Sequence, residues 1–227
     1  MAFDPTGLLV MDARELPEII FLTLVVSVSS TAVASAIGLP LGALIGSRSF
    51  RGKKLLTMAV RTLMGTPTVV VGLAILLLLS RSGPLGFLKL LYTPAGMVIA
   101  QVVLVLPVTV NFSATAVDAC AADVTAACKG WGIHGVTSLR LLILECRYAI
   151  VSAVLAGFAR AISEVGSVSI VGGNIENKTR VMTTAISLET GKGNYATAMI
   201  LGAVLLVLSF IVNALATYFF QRKGTPD

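Results

Sequence analysis

Charged residues are scarce in this sequence. Asp, Glu, Lys and Arg make up 12% of its 227 residues, about half the share found in a soluble globular domain. Hydrophobic residues account for 56% of the chain, and the mean hydropathy is +0.93. This composition excludes an ordinary water-soluble domain, and the length allows several membrane crossings of about 20 apolar residues each.

Residues that carry catalysis are also few. The chain has one histidine, His134, and neither a P-loop sequence nor a recognisable Ser-His-Asp set. Its cysteines, Cys120, Cys128 and Cys146, lack metal-ligand spacing, and we expect them to be reduced thiols in a cytoplasmic loop. We therefore expect no enzyme activity, metal site or cofactor in this chain. Any ATP and Mg²⁺ that drive its function would be bound by a partner subunit.

Five stretches have the length and apolarity of membrane spans, and they predict an all-α membrane protein. They cover residues 19–45, 63–80, 90–116, 148–173 and 195–220. Residues 1–18 form an extracytoplasmic segment whose acidic residues exclude a cleavable signal sequence. We expect residues 19–220 to form one transmembrane domain in the lipid bilayer and residues 221–227 to form a tail.

Lys and Arg are distributed unevenly between the two sides of this bundle. Ten lie on the side of the carboxyl terminus, six lie on the side of the amino terminus, and Arg160 lies within a span. Because cytoplasmic loops carry an excess of basic residues, the amino terminus should lie outside and the carboxyl terminus in the cytoplasm, with the chain in the plasma or inner membrane. The positive balance is mainly a topology signal, and we expect no nucleic-acid partner.

The longest predicted cytoplasmic connection is 117–147. Its Ala-rich segment 118–129 is followed by Gly130, Gly132 and Gly135, a pattern that predicts a helix, a turn and a second helix. A helical hairpin in the longest inner loop is a candidate docking site for another subunit. The outer connection 174–194 is also predicted to be partly helical, around residues 183–188.

Arg160 and Glu164 are the charged residues within the predicted spans. Their i, i+4 spacing places them on one helix face, where they can pair. Because ionisable groups inside a membrane usually face a bundle interior or an aqueous cavity, this face could line an ion pathway together with hydroxyls such as Ser163. An ion pair that only fixes helix packing is the alternative interpretation.

Pro67 lies inside the second predicted span and should kink or interrupt its helix. Thr66 and Thr68 flank it, so a break here could offer hydroxyl and backbone donors to an oxyanion. A plain kink that shapes packing remains the alternative. Asn174, after two glycines at the outer end of the fourth span, reads as a helix stop and secondarily as part of a pathway mouth.

The inner loop contains a spaced pattern. Ala126-Ala127-Cys128 is followed by three residues, Gly132, nine residues and Leu142-Ile-Leu144-Glu. This order resembles the Glu-Ala-Ala, Gly, Ile-x-Leu-Pro pattern of importer permeases of the ATP-binding cassette superfamily. Ala126, Cys128 and Glu145 stand where that pattern has Glu, Ala and Pro.

The resemblance continues downstream. Residues 156–166 and 171–174 are similar to the Phe-Ala-Arg-Ala-x-x-Glu-x-Gly and Gly-Asn segments of molybdate, tungstate and sulfate permeases, and residues 163–166, 172–175, 179–186 and 188–190 are most similar to the tungstate branch. Residues 66–72 and 92–94 agree with the same group. The likeness thus extends over nearly the whole chain.

The resemblance implies a type I importer that works as an assembly. Two permease copies would join two cytoplasmic ATPase subunits and an extracytoplasmic binding protein, and the loop around Gly132 would supply the coupling helix. The expected substrate is tungstate, with molybdate or sulfate as the alternative. A gradient-driven oxyanion carrier that works alone and a purely structural membrane subunit are the alternatives from other classes.

Overall fold

The computed structural model describes residues 15–133 and 135–222. The predicted features at residues 1–14 and 223–227 and at His134 lie outside this part. Within the described part the chain is helical, with a short 3-10 turn at Gly86–Leu88 and the following helices: α1 Glu15–Ser47, α2 Lys53–Met64, α3 Thr68–Leu79, α4 Pro94–Gly130, α5 Val136–Glu145, α6 Arg147–Ile162, α7 Gly166–Gly172, α8 Met182–Gly191 and α9 Tyr195–Arg222.

Three helices in the described part are each long and apolar enough to cross a membrane. They contain the stretches Glu15–Ser47, Pro94–Ala121 and Tyr195–Leu215. Two bent pairs complete the set: α2 and α3 meet at 91°, and α6 and α7 meet at 57°. Counting each pair as one interrupted span gives the five predicted crossings. The fourth span differs from the continuous helix that we expected, because it is broken between Ile162 and Gly166.

Helices α1 and α4 form the core, and they run parallel in a constant register. Three glycines spaced by four residues on α1, Gly38, Gly42 and Gly46, face α4. A Cβ atom at Gly42 would lie 2.5 Å from the carbonyl oxygen of Val110, and one at Gly46 would lie 2.5 Å from that of Ala114. Small residues at this spacing let two helix backbones approach closely in a membrane.

Helix α4 also packs against α6, with the two chains antiparallel. Gly157 of α6 lies against Val105 and Thr109 of α4, and further along the pair the side-chain amide of Gln101 donates a hydrogen bond of 3.1 Å to the carbonyl of Ala161. Thr93 caps α4 by accepting from the amide of Gly96. Because α4 contacts α1, α2, α3, α5, α6 and α7, it positions both interrupted spans.

The inner connection forms the expected helical hairpin, with one difference. Helix α4 continues without a break from the third span to Gly130, so the first helix of the hairpin is the end of the span itself. The amides of Gly132 and Ile133 donate to the carbonyls of Lys129 and Cys128, and Gly132 has φ +69°. This Schellman closure requires a left-handed residue, which is why glycine is present at the turn.

Ion pairs mark the two ends of the bundle. Lys53 contacts Asp118 at 2.6 Å, close to the end of α1 that precedes the hairpin. At the opposite end of α1, Glu15 pairs with Arg180, which precedes α8. Helix α8, which covers the predicted helical residues 183–188, packs with α1 and α9 around Ile19, Met182 and Leu201. The hairpin and the outer connection therefore lie at opposite ends of the molecule.

Candidate functional site

The two interrupted spans are broken at the same level and lie side by side. A Cβ atom at Gly166, the first residue of α7, would lie 2.5 Å from Oγ1 of Thr68, the first residue of α3. One turn on, a Cβ atom at Gly72 would lie 2.7 Å from the Cα of Ser167. Helices α3 and α7 therefore run parallel, with both amino-terminal ends starting from one place. Unpaired helix amides and positive dipole ends converge there.

Proline causes the first break. Helix α2 ends at Met64, and Pro67 is the N-cap of α3 with φ −58° and ψ 126°. Pro67 has no amide hydrogen, and an extended residue at this position cannot continue the preceding helix. The predicted interruption is confirmed, and it is a 91° bend between two helices rather than a kink in one helix.

The second break depends on a carboxylate. Glu164 lies after the end of α6, and its Oε1 accepts a 3.0 Å hydrogen bond from the amide of Ser167 in the first turn of α7. Its Oε2 accepts from Nη1 of Arg160 at 2.6 Å. The hydroxyl of Thr183 donates to the backbone carbonyl of Glu164 at 2.8 Å. An anion at a helix amino terminus is favourable, so Glu164 satisfies α7 as well as Arg160.

The predicted pairing of Arg160 with Glu164 is thus present, but the two residues do not share one continuous helix. The Glu164 side chain is 2% exposed, whereas that of Arg160 is 26% exposed. Within the described residues, the guanidinium makes no hydrogen bond other than the one to Glu164. Ser163 is exposed beside it, and its hydroxyl donates to the carbonyl of Arg160. Arg160 and Ser163 therefore face the surface of the chain with donor capacity remaining.

Sequence reasoning missed a buried polar layer that supports the break. Gln101 of α4 accepts from the hydroxyl of Ser30 at 2.7 Å and donates to α6. Hydroxyl residues line the facing side of α1 at helical spacing: Thr23, Ser27, Ser30, Thr31 and Ser35. That spacing, and the single amide within the apolar run of α4, were the signals available in the sequence. These groups tie α1 and α4 to the second break.

The interior beside this layer is closely packed. A cavity bordered by Thr23, Ser27, Gln101, Glu164 and Thr183 has a volume of about 10 Å³, which is barely room for one water molecule. A tetrahedral oxyanion is much larger than this space. The polar layer therefore serves to hold the helices together within one chain.

Asn174 lies apart from the two breaks, at the far end of α7. It follows Gly173 after the helix ends, and both residues have positive φ, 72° and 50°. The predicted helix stop is confirmed. The amide nitrogen of Asn174 donates to the carbonyl of Thr184 at 3.5 Å, and its Oδ1 is buried without a hydrogen-bond partner. Asn174 thus joins α7 to α8 instead of completing the group around Arg160.

The hairpin residues divide into an exposed set and a buried set. Ala126, Ala127, Gly132 and Leu144 are exposed. Cys128 and Leu142 are buried, and Leu142 packs in a cluster with Ala43, Val117 and Cys146. The exposed set forms a surface at the end of the molecule, which also carries Trp131 with 77% of its area exposed. The buried set fixes the shape of that surface.

Five apolar crossings, two of them interrupted at one level beside an ion pair, define a multi-pass helical membrane protein of the kind typical of transporters. The chain belongs to the family of binding-protein-dependent transport system inner membrane components, whose model matches residues 38–225. This family has the type I permease fold, which confirms the expected fold class. Its members are transport components rather than enzymes.

Individual relatives cover most of the chain. A probable anion ABC transporter permease protein of Haloferax volcanii is 47% identical over 209 residues, which are 90% of this chain and 89% of the relative. The tungstate uptake system permease protein TupB of Peptoclostridium acidaminophilum is 42% identical over 205 residues, 90% of each chain. The sulfate transport system permease protein CysW of Synechococcus elongatus is 31% identical over 224 residues, 93% of this chain and 76% of the relative.

Proposed function

We propose that this chain is the permease subunit of an ATP-driven importer that carries tungstate into the cell. The observation that supports tungstate is the 42% identity with a tungstate uptake permease over 90% of both chains. A tetrahedral dianion needs donors and positive potential along its path but no deep binding well, because it must also be released. Arg160, half neutralised by Glu164, meets that requirement.

The ion path runs between two permease copies. The interior of one chain has space for about one water molecule at the level of the breaks, whereas Arg160 and Ser163 face outward. In a homodimer these residues of both copies, with Thr66, Pro67 and Thr68, would line a shared passage. The adjacent starts of α3 and α7 would add helix-end potential to that passage.

The hairpin binds a cytoplasmic ATPase subunit, which holds the ATP and Mg²⁺. Ala126, Ala127, Gly132 and Leu144 supply its contact surface, and Cys128 and Leu142 keep the hairpin rigid behind it. With this end inside, the carboxyl terminus is cytoplasmic, and the outer connection 174–194 faces an extracytoplasmic binding protein. The excess of basic residues on the hairpin side supports this orientation.

The substrate is tested with the assembled complex. The permease would be reconstituted in proteoliposomes with its ATPase and its binding protein, and ATP hydrolysis would be measured with the binding protein loaded with tungstate, molybdate or sulfate. We expect the largest stimulation with tungstate. Equal stimulation by sulfate would instead favour the sulfate permeases that this chain also resembles. Ion transport without any ATPase would indicate a carrier that works alone.

The coupling role is tested at the hairpin turn. Gly132→Pro removes the amide that donates to Lys129 and fixes φ near −65°, whereas this position has φ +69°. We expect uptake to be lost while the chain still inserts in the membrane. Gly130→Ala is the matched control, since Gly130 is a helical glycine with open space around it. Normal uptake by Gly132→Pro would refute the coupling assignment.

A further inference from the structure

Helix α2 has the form of a helix that lies on a membrane surface. It turns by 91° from α3, which continues into the apolar part of the bundle. None of its residues is buried in the chain. One face carries an apolar stripe at helical spacing, and its members are Leu55, Leu56, Ala59, Val60 and Leu63. Leu55 is 73% exposed, so this stripe needs a cover outside the chain.

The opposite side of α2 is basic. Lys53 is neutralised by Asp118, and Arg61 donates a hydrogen bond to the neutral side chain of Asn111. Lys54 has no carboxylate within ion-pair distance in the part of the chain that the structure describes. The same is true of Arg48 and Arg51 in the preceding loop. This patch therefore keeps an uncompensated positive charge.

A cleft of about 940 Å³ lies between this loop and α2. Lys54 and Arg61 line it together with Phe50, Met58 and Thr62. Cations next to aromatic and thioether groups match the two parts of a phospholipid, namely a phosphate and the start of its acyl chains. A ligand that carries only charge would leave the apolar part of this lining unused.

We propose that α2 lies in the plane of the bilayer interface and that its cleft binds the headgroup of an anionic phospholipid. The apolar stripe contacts acyl chains, and Lys54 and Arg61 bind the phosphate. Charge complementarity supports this occupant, because basic patches next to membrane helices attract anionic lipids. A second copy that packed on the same patch across a two-fold axis would place like charges together. The lipid contact is independent of the ion that the bundle carries.

Tryptophan quenching by brominated lipids tests this site in the full-length chain. The sequence has one tryptophan, so Trp131→Phe combined with Leu55→Trp places a single reporter in the apolar stripe. This protein would be reconstituted in phosphatidylcholine bilayers that contain either brominated phosphatidylcholine or brominated phosphatidylglycerol. We expect quenching by both lipids, with a several-fold preference for phosphatidylglycerol. Adding Lys54→Gln and Arg61→Gln should lower that preference by about five-fold for each charge removed.

Two controls separate a headgroup site from a general effect of charge. Lys89→Gln removes an exposed lysine outside the patch, and it should leave the preference unchanged, as should Lys54→Arg. Inorganic phosphate added at constant ionic strength should also leave the preference unchanged.

Four outcomes would overturn the proposal. Absence of quenching would mean that protein covers the stripe, as in contact with a second copy. Quenching without headgroup preference would exclude a phospholipid site. A preference that persists without Lys54 and Arg61 would place the site elsewhere. A preference abolished by inorganic phosphate would assign the cleft to a soluble anion.

Discussion

Arg160 and Glu164 form one ion pair, but their environments differ. The carboxylate is almost fully buried and also caps α7, whereas about a quarter of the guanidinium side chain is exposed. Removing one partner of a buried pair is costly because the other charge stays buried. The cost should therefore depend on which partner is removed.

We expect Arg160→Gln to destabilise the protein more than Glu164→Gln. The first change leaves a buried carboxylate without its cation, at a cost of about 3 kcal/mol or more. The second leaves an exposed cation, and the glutamine oxygen can still accept from Ser167. Thermal unfolding of both variants in one detergent measures the order. Equal losses, or the reverse order, would show that the burial difference is unimportant.

The thiols on the hairpin side differ in reactivity for a physical reason. Burial, followed by the neighbouring Cys120 thiol, raises the pKa of Cys146 to about 12. Cys128 is buried as well, whereas Cys120 is partly exposed. Since the thiolate is the reactive form, alkylation should follow exposure and ionisation.

We predict that iodoacetamide at pH 8 modifies Cys120 in the folded protein before Cys128 or Cys146. With a pKa of about 12, the thiolate fraction of Cys146 is lower by about a thousandfold than that of a free thiol. All three thiols should react once the protein is unfolded, which mass spectrometry of the peptides would show. A fast reaction of folded Cys146 would contradict its burial.

At the scale of helices, close packing of α1 on α4 depends on missing side chains. A Cβ atom at Gly42 would overlap the Val110 carbonyl and the Ser113 side chain, with contacts of 2.5 and 2.6 Å. Gly202 in α9 is also a helical glycine, but no atom lies within 4 Å of its Cβ position. The two sites make a matched pair.

We expect Gly42→Ala to lower stability by about 1–3 kcal/mol, the range found for overpacked cores. Gly202→Ala should be neutral or stabilising by up to about 1 kcal/mol, because alanine favours the helix. Thermal midpoints in detergent compare the two variants. If both changes have the same effect, the close contact of α1 and α4 is not important for stability.

Most of the helical content was predictable, because apolarity marks each crossing and glycine marks the hairpin turn. Pro67 likewise predicted the first break. The second break was not predictable from local sequence, because no proline causes it. It depends on the Glu164 carboxylate and on Thr183, which reaches it from α8. The parallel register of α1 with α4 is a tertiary property, although its glycine spacing was visible. The functional roles of the site residues remain predictions.

At the scale of the whole molecule, five crossings place the hairpin and the outer connection on opposite sides of the membrane. Lys129 and Lys178 are exposed at these two ends. Each can therefore report the side on which its end lies, once the partly exposed Cys120 is replaced.

In a Cys120→Ser background, we predict that a membrane-impermeant maleimide added to intact cells labels Lys178→Cys. Lys129→Cys should be labelled only after the membrane is permeabilised, because basic loops stay in the cytoplasm. The control is labelling of both variants in permeabilised cells. The opposite pattern in intact cells would invert the proposed topology.

Helix α4 joins the hairpin to the polar layer as one continuous rod. Its 37 residues run from Pro94 to Gly130, a length of about 55 Å at 1.5 Å per residue. Gln101 and Gly130 are thus separated by about 44 Å along one helix. A tilt of about 5° around Gln101 would move the hairpin by about 4 Å over this length. The rod therefore acts as a lever, which converts a displacement of several ångströms at the hairpin into a small rotation beside the two broken helices.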